Sequence, residues 1–349
     1  MTLTIGGFTH TEALQEGSLV IRSYGALRSS FRATLSFSTV PRFLPKVGQE
    51  ILLSEDDTLI WGGILVEVEQ VCHSTKSFTM TLRGQGYEQI LQRFCLPAIY
   101  LPGFTPSRAV ETIFRTYLNP EDGLTLGIVE EGLTKSCSYV FYPAKASSVF
   151  DRLANENGFV WWVDKEKLFH MRALLPRIEA DLCIDLTEKK DNRLKDIQTF
   201  VYRSSTADYR NVQYVYNRGL DVIGNYIHVD RLMEMSERYG SGAYGASSES
   251  TAVTHQTEAQ SVGEQILAGS CGEGEIEFTT DSDKFSLGQM VGVTAPVCGI
   301  ETETQFCVTE IRAVYFLNRF RYTVTAKQTD TGPLSIASWE RVLAGGTTN

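Results

Sequence analysis

The first ninety residues alternate apolar and polar positions with a period of two, which is typical of half-buried β-strands. Three stretches show the pattern: ATLSFS (33–38), ILVEVEQV (64–71) and FTMTLR (78–83). The predicted inward residues are Ala33, Leu35 and Phe37, then Ile64, Val66 and Val68, then Phe78, Met80 and Leu82. Turn residues such as SEDDT and HSTKS separate the strands. The pattern predicts an antiparallel barrel or sandwich.

The period then changes to that of amphipathic helices. In TPSRAVETIFRTYL the apolar residues follow helical spacing, with Thr105 as the expected cap and Pro106 in the first turn. SSVFDRLANENG predicts a second helix with Ser147 as its candidate cap and Asn157-Gly158 as its stop signal. The stretches FVWWV and LFHM follow as a hairpin. Residues 91–175 are therefore predicted to form a small α/β domain.

Strand patterns return in IQTFVYRS (197–204), RNVQYVYN (210–217) and EIEF (275–278). Between them, residues 237–253 are rich in Gly and Ser with almost nothing to bury, which predicts a mobile loop. Helical spacing predicts a helix over 256–268. Residues 331–349 remain as a C-terminal tail.

Two distant stretches repeat one another. PKVGQEILL (45–53) and FSLGQMVGV (285–293) each place a Gly-Gln pair before a β-rich run. From Gly48 and Gly288 the chain reaches Val68 and Ile311 over similar distances, and FTMTL then corresponds to YTVTA (322–326). A glycine at the start of a strand permits a positive φ or a bulge.

This repetition predicts that residues 1–90 and 176–330 are two copies of one barrel. We therefore expect a mainly β (α+β) fold, in which two related antiparallel β-barrel domains have a small α/β domain between them. Gly48 should superpose on Gly288, and Val68 should lie near Ile311.

The net charge argues against a general nucleic-acid binder. The 349 residues include 32 Lys+Arg and 42 Asp+Glu, which gives −10 at pH 7. Binding to phosphates needs a positive field. The N-terminus has no basic and apolar signal pattern, and no apolar run reaches the length of a membrane helix. We expect a soluble chain.

The sequence contains no recognisable catalytic, cofactor-binding or metal-binding set. Its seven scattered cysteines are Cys72, Cys95, Cys137, Cys183, Cys271, Cys298 and Cys307, and its isolated histidines are His10, His73, His170, His228 and His255. None has metal-site spacing, and the odd cysteine count favours reduced, buried thiols. We predict no enzyme activity, no cofactor and no metal.

Weaker chemical signals also favour structural roles. The carboxylates of Glu55-Asp56-Asp57 and of Glu130-Glu131 fall in predicted turns or loops, which favours solvation over glycosidase chemistry. RGQGYEQ lacks the third glycine of a dinucleotide loop and follows antiparallel strands. Trp161-Trp162 could stack on sugars, but in a strand the two rings face opposite sides, so at least one should be core.

Several stretches, in this order, resemble the central hub of phage tail baseplates and related contractile injection machines. They are VGQEILLSEDDTLIWGGILVEVEQV, LRGQGYEQILQRF, PSRAVETIFRTYL, SSVFDRLANENGFVWWVDKEKLFHM, TADYRNVQYVYN and FSLGQMVGV with FCVTEIRAV. TADYRNVQYVYN resembles the start of the second barrel. The resemblance covers roughly residues 15–330, and the order of these degenerate motifs is what makes it specific.

The resemblance implies a homotrimer that forms a six-barrel ring, adapts a sixfold tail tube to a threefold spike and lines the conduit. The implied partners are further copies of the chain, the tube protein, the spike protein, the tape measure protein and other baseplate proteins. The implied location is the virion tail baseplate, or an injection particle, assembled in the bacterial cytoplasm. Because the chain stops at Asn349, a lysozyme-like function and a fused spike would belong to separate proteins.

Two other functions remain open. A tail-tip receptor- or carbohydrate-binding module would use aromatic loop residues such as Tyr239 and Tyr244. A hydrolase of cell-wall polymers would depend on one of the carboxylate pairs. Sugar affinity or turnover would distinguish these functions from a hub, which would bind tube and spike.

Overall fold

The chain divides into two compact units, which are considered separately. The first comprises residues 1–173, 280–284 and 310–323, and the second comprises 174–279, 285–309 and 324–349. The structure, a computed structural model, describes residues 1–24, 28–74, 77–118, 120–131, 139–157, 159–172, 183–186, 197–206, 209–238, 240–249, 253–268 and 274–328. Cys137, Cys271, Tyr239 and the predicted tail 331–349 lie outside the described residues.

The first unit begins with an antiparallel sheet. Its strands are β1 (Thr2–Ile5), β2 (Phe8–Thr9), β3 (Val20–Tyr24), β4 (Arg28–Phe37), β5 (Glu50–Glu55), β6 (Thr58–Cys72) and β7 (Phe78–Gly86). They are ordered β3-β4-β7-β6-β5-β1-β2. The predicted inward residues Ala33, Leu35, Met80 and Leu82 are buried in one core, so the period-two pattern is confirmed for β4 and β7.

The inward face predicted for β6 is partly wrong. The pairing of β6 with β7 shifts register between Leu65 and Glu67, which is a β-bulge. A bulge inserts one residue and reverses the alternation. Leu65 is consequently the fully buried residue of this stretch, while Ile64 and Val66 are only partly buried.

The same unit contains a second, separate core built from short strands and helices. The elements are α1 (Glu88–Arg93), β8 (Cys95–Leu96), β9 (Ile99–Leu101), α2 (Pro106–Tyr117), β10 (Thr125–Val129), β11 (Tyr139–Phe141), β12 (Ala144–Lys145), α3 (Ala146–Asn157), β13 (Val160–Val163) and β14 (Leu168–Arg172). Its buried side chains, among them Ile113, Phe150 and Phe169, form one cluster, distinct from that of β1–β7. The predicted helices and hairpin are therefore present.

The two expected helix caps have different outcomes. Thr105 caps α2 as predicted, because its side-chain oxygen accepts a hydrogen bond from the Arg108 N–H at 3.4 Å. Ser147 does not start α3. The helix begins at Ala146, whose N–H donates to the Phe94 carbonyl, so the serine lies inside the first turn and is buried.

The second unit contains the remaining elements. They are β15 (Cys183–Asp185), β16 (Thr199–Ser204), β17 (Val212–Asn217), β18 (Val222–Ile227), α4 (Val229–Arg238), β19 (Gly245–Glu249), α5 (Gln256–Ala268), β20 (Gly274–Thr280), β21 (Met290–Ala295), β22 (Ile300–Phe316) and β23 (Arg319–Gln328). Residues 310–316 of β22 and 319–323 of β23 are grouped with the first unit. Six strands follow the order β16-β20-β23-β22-β21-β15. Ile276 and Phe278 of β20 are fully buried, as the EIEF pattern predicted.

An insert between β16 and β20 differs from the sequence prediction. We expected β17 to lead into the second barrel, but it pairs only with β18 and β19 in a three-stranded sheet among the described residues. Helix α5, with the predicted bounds, packs on this sheet, where Val215 and Ala259 are fully buried. The helix covers one face of the sheet, which gives the insert its own small core.

The predicted mobile loop 237–253 contains ordered elements. Its first residues end α4, which we did not predict, and residues 245–249 form β19, which pairs in parallel with β17. Backbone hydrogen bonding can place a Gly- and Ser-rich strand at a sheet edge although its side chains bury little. Mobility of this stretch stays a prediction.

The described helices are also relevant to membrane insertion. None has both the length and the apolar content that crossing a bilayer requires.

Candidate functional site

The first Gly-Gln turn (46–49) starts β5 against β6. Gly48 has φ +90°, a conformation that favours glycine. Its N–H donates to the Leu65 carbonyl at 2.7 Å, and the Leu65 N–H donates to the Gln49 carbonyl at 2.9 Å. Gln49 closes the turn, because its Oε1 accepts from the Lys46 N–H at 2.7 Å while its N–H donates to the Lys46 carbonyl at 3.2 Å.

The second Gly-Gln turn (286–289) makes the same hydrogen bonds. Gly288 has φ +77°, and its N–H donates to the Val308 carbonyl at 2.8 Å. The Val308 N–H donates to the Gln289 carbonyl at 2.9 Å. The Gln289 Oε1 accepts from the Ser286 N–H at 2.9 Å, and its N–H donates to the Ser286 carbonyl at 3.2 Å.

The hydrogen bonds agree with the sequence register. They make Leu65 equivalent to Val308, and both side chains are buried. Val68 and Ile311 then follow at the same offset, as the spacing predicted. Sequence reasoning missed Leu65 and Val308 themselves, because the bulge in β6 hides the inward position. Superposition of the two whole regions as barrels stays a prediction.

The strand orders repeat as well. The first region has β3-β4-β7-β6-β5-β1, and the second has β16-β20-β23-β22-β21-β15. In both regions the neighbouring strands are, in turn, the second, third, sixth, fifth, fourth and first of the group along the chain. The described residues therefore contain two groups of six strands in the same order within one sheet, which differ in that β1 pairs antiparallel with β5 and β15 pairs in parallel with β21.

The far end of β22 belongs to the first region. Its residues 310–314 pair antiparallel with β3, so that Glu310 lies opposite Tyr24 and Ala313 opposite Ile21. The Arg22 guanidinium donates to both carboxylate oxygens of Glu310, at 2.5 and 2.7 Å. Ala313 is buried in the core of β1–β7. The outer edge of β3 is consequently covered by another strand of the same chain.

The histidines do not form a metal site within the described part of the chain, where no group of three His, Cys, Asp or Glu side chains could hold an ion. His170 has a structural environment. Its Nε2 lies 3.0 Å from the Asp164 carboxylate, and its Nδ1 accepts from the Ile128 N–H at 3.0 Å. The ring thereby links β14 to β10 and to the hairpin turn.

The carboxylate pairs singled out in the sequence lie in turns or on the surface. Asp56 and Asp57 have positive φ values of 45° and 63° in the turn between β5 and β6. Glu130 and Glu131 are exposed. These carboxylates are exposed to solvent, as expected for turn and loop residues.

The sequence analysis missed two carboxyl groups with raised pKa values, the buried Glu88 and the partly buried Asp151. Burial raises the pKa of Glu88 to about 7, although the Ser29 N–H donates to its carboxylate at 3.4 Å. Burial also raises the pKa of Asp151, which accepts from the Trp161 indole at 2.7 Å and lies 3.4 Å from the Arg28 guanidinium. No sequence signal marks them, because tertiary packing alone creates their burial.

The two adjacent tryptophans have different surroundings. Trp161 is 3% exposed and packs among aromatic rings of the second core, including Phe150 and Phe169, which confirms the prediction that at least one indole is core. Trp162 is partly exposed and stacks on His170, with ring centroids 4.9 Å apart. The Arg172 guanidinium lies over the same indole.

Comparisons with known proteins define the class of fold. A tail protein from Neisseria meningitidis MC58 is similar over 97% of this chain and 98% of its own, with a TM-score of 0.69 and 13% identity. The 43 kDa tail protein of prophage MuSo2 from Shewanella oneidensis is similar over the same shares, with a TM-score of 0.68 and 12% identity. No family model matches the sequence, and no curated protein does.

A third similar structure comes from a secretion machine. It is a component of the E. coli type VI secretion system, described as structurally similar to the T4 bacteriophage tail proteins gp27 and gp5. It aligns over 94% of this chain and 77% of its own, with a TM-score of 0.51 and 12% identity. The fold is thus one found in phage tail and type VI secretion proteins, as the sequence resemblance predicted.

Proposed function

We propose that this chain is the structural hub of a phage tail baseplate or a related injection machine. One observation carries the proposal: a single chain contains two groups of strands in the same order, and each group contains the same Gly-Gln turn. A protein that must fit a symmetric tube needs repeated, equivalent surfaces, and an internal duplication supplies two of them per chain.

In the proposed assembly, three chains form a closed ring in which the two regions, each completed as a barrel, alternate. Closed rotational symmetry leaves no free interface. Three chains with two similar regions give approximate sixfold symmetry, which suits a sixfold tail tube. The exact symmetry remains threefold, which suits a trimeric spike.

The proposed partners follow from this position. Tube and spike proteins bind opposite sides of the ring, other baseplate proteins bind its periphery, and the tape measure protein passes through it. The net charge of −10 supports a conduit lining to which DNA does not adhere. The location is the tail baseplate or injection particle after assembly in the bacterial cytoplasm.

The mass of the purified protein in solution tests the proposal. Native mass spectrometry should find a species of three chains, and co-expressed spike protein should co-purify with it. A protein that stays monomeric at high concentration, and also with the spike protein present, would contradict the ring. Cell-wall hydrolysis abolished by one carboxylate-to-amide change would contradict a purely structural role.

A tail-tip binding module is the second candidate, and one observation favours it. The face of β17 and β18 opposite α5 exposes Tyr214, Ile223 and Ile227. Tyr244, which the sequence suggested, packs edge-on against Tyr209. Binding to isolated cell walls that is lost in Tyr214→Ala, but kept in a matched Tyr142→Ala variant, would favour this candidate.

A further inference from the structure

Among the described residues, the pairing of β22 with β3 is not repeated at the equivalent strands of the two regions. Residues 310–314 of β22 extend beyond its pairing with β21 and pair with β3 of the first region. This contact covers the outer edge of β3 and places Ala313 in the core of the first sheet. The end of the long strand β22 therefore covers the exposed edge of the first region.

The equivalent strand end in the first region is 67–72 of β6. The matched hydrogen bonds of Leu65 and Val308 define this equivalence. On one side, 67–72 pairs with β7. On its other side, the pairing of β6 with β5 stops at Ile64, and no described strand pairs beyond that point. Val71 is 48% exposed and Cys72 is also exposed, so the segment is accessible.

The equivalent of β3 in the second region is β16. Each lies beside the strand that precedes the Gly-Gln turn, since β3 pairs with β4 and β16 pairs with β20. Whereas β3 has β22 on its outer side, β16 is the last strand in the order of the described strands. Val201 and Arg203 of β16 are exposed.

We propose that residues 67–72 of β6 in one copy of the chain pair antiparallel with β16 in a second copy. The contact reproduces between chains the pairing that β22 and β3 make within one chain. Exposed strand edges invite such pairing, and a contact between two different surfaces closes into a ring when the rotation permits. The inference rests on the proposed function and identifies the surfaces that join its chains.

Disulfide trapping tests the pairing directly, because β6 already carries an accessible thiol. Thr199→Cys, Val201→Cys and Arg203→Cys should be made singly in the full chain and mildly oxidised. At least one variant should form an intermolecular disulfide between Cys72 and the new cysteine, identified by peptide mass spectrometry. The product should disappear when Cys72→Ser is added. Val297→Cys, at an 86% exposed position away from β16, is the matched control and should give only background.

A second variant measures the contribution of the edge without oxidation. Val201→Lys places a charge in an edge strand, and such a charge opposes strand pairing. The variant should therefore raise the dissociation constant of the oligomer by about tenfold or more. Val297→Lys should leave it unchanged. Circular dichroism should show both variants folded.

The outcomes separate this inference from the hub proposal. A wild-type trimer with no Cys72 crosslink and no effect of Val201→Lys would overturn the pairing and leave the ring standing on another interface. A wild-type protein that is monomeric at every concentration and yields no crosslink would overturn the pairing; spike binding would then decide the hub proposal separately. An intramolecular Cys72 disulfide would also overturn the inference.

Discussion

The two regions around Gly48 and Gly288 share a turn and a strand order, yet they differ in what interrupts them. The first sheet is continuous in sequence from β1 to β7, and its additional core follows β7. The second sheet is interrupted between β16 and β20 by the insert of β17–β19, α4 and α5. The repeated part is thus the sheet with its Gly-Gln turn, while the additions occupy connections between strands, where a chain tolerates insertions best.

The regions also differ in the direction of the strand that pairs with the strand after each Gly-Gln turn. β1 pairs antiparallel with β5, whereas β15 pairs in parallel with β21. The turns themselves differ in burial, because Gln289 is 3% exposed and Gln49 is only partly buried. One hydrogen-bond pattern therefore works in two environments, and the same substitution should have a different cost in each.

The largest expected difference concerns the residue that anchors each turn. Phe285 is 7% exposed and packs edge-on against Phe278, whereas its counterpart is Pro45. Phe285→Ala should lower the free energy of unfolding by about 3–5 kcal/mol, because it removes a buried ring. Pro45→Ala should cost far less, since it deletes little volume. Urea denaturation of both variants checks this, and equal losses would contradict the argument.

The buried carboxyl where β7 meets α1 should make stability depend on pH. The pKa of Glu88 is raised from 4.5 to about 7, so its contribution is fully present below pH 4.5 and is lost as pH rises through about 7. Glu88→Gln should match wild type near pH 4.5 and exceed its stability by up to about 3 kcal/mol above pH 8. Exposed Glu131→Gln serves as the control. A gain that does not change with pH would contradict the prediction.

Replacing the glutamine that closes each turn should lower the free energy of unfolding by different, smaller amounts in the two turns. Gln289→Ala removes a buried side chain together with its hydrogen bond from the Ser286 N–H, and should cost about 1–3 kcal/mol. Gln49→Ala exposes the Lys46 N–H to water, and should cost about 0.5–1 kcal/mol. Chemical denaturation can compare them, with exposed Gln70→Ala as reference. A reversed order would show that burial does not set the cost.

The smallest effect is expected for the ion pair between β22 and β3. The side chains of Arg22 and Glu310 are 54% and 26% exposed, so Glu310→Gln should cost about 0–1 kcal/mol. The loss should shrink further in high salt. Thermal unfolding at two ionic strengths checks this. A cost that is large and independent of salt would mean that the pair is shielded from solvent.

Sequence reasoning succeeded where a local pattern controls the structure. Alternation identified the buried faces of β4 and β7, helical spacing gave α2 and the bounds of α5, and the repeated Gly-Gln pairs identified two equivalent turns. It failed at β6, where a bulge moves burial to Leu65, and at β17, whose own pattern does not reveal its pairing partners. Strand alternation is local, whereas pairing partners and bulges depend on distant residues.

The sequence by itself determined the β-rich class of this chain, its repeated turn and the family that it resembles, because period, turn chemistry and motif order are written locally. Only the tertiary structure decided that β22 extends to pair with β3, that β17 belongs to a separate insert and that Glu88 is buried. These features arise from contacts between residues far apart in the chain. Such contacts leave no periodic signal in the sequence, because the free energy that favours them comes from packing between distant segments of the chain.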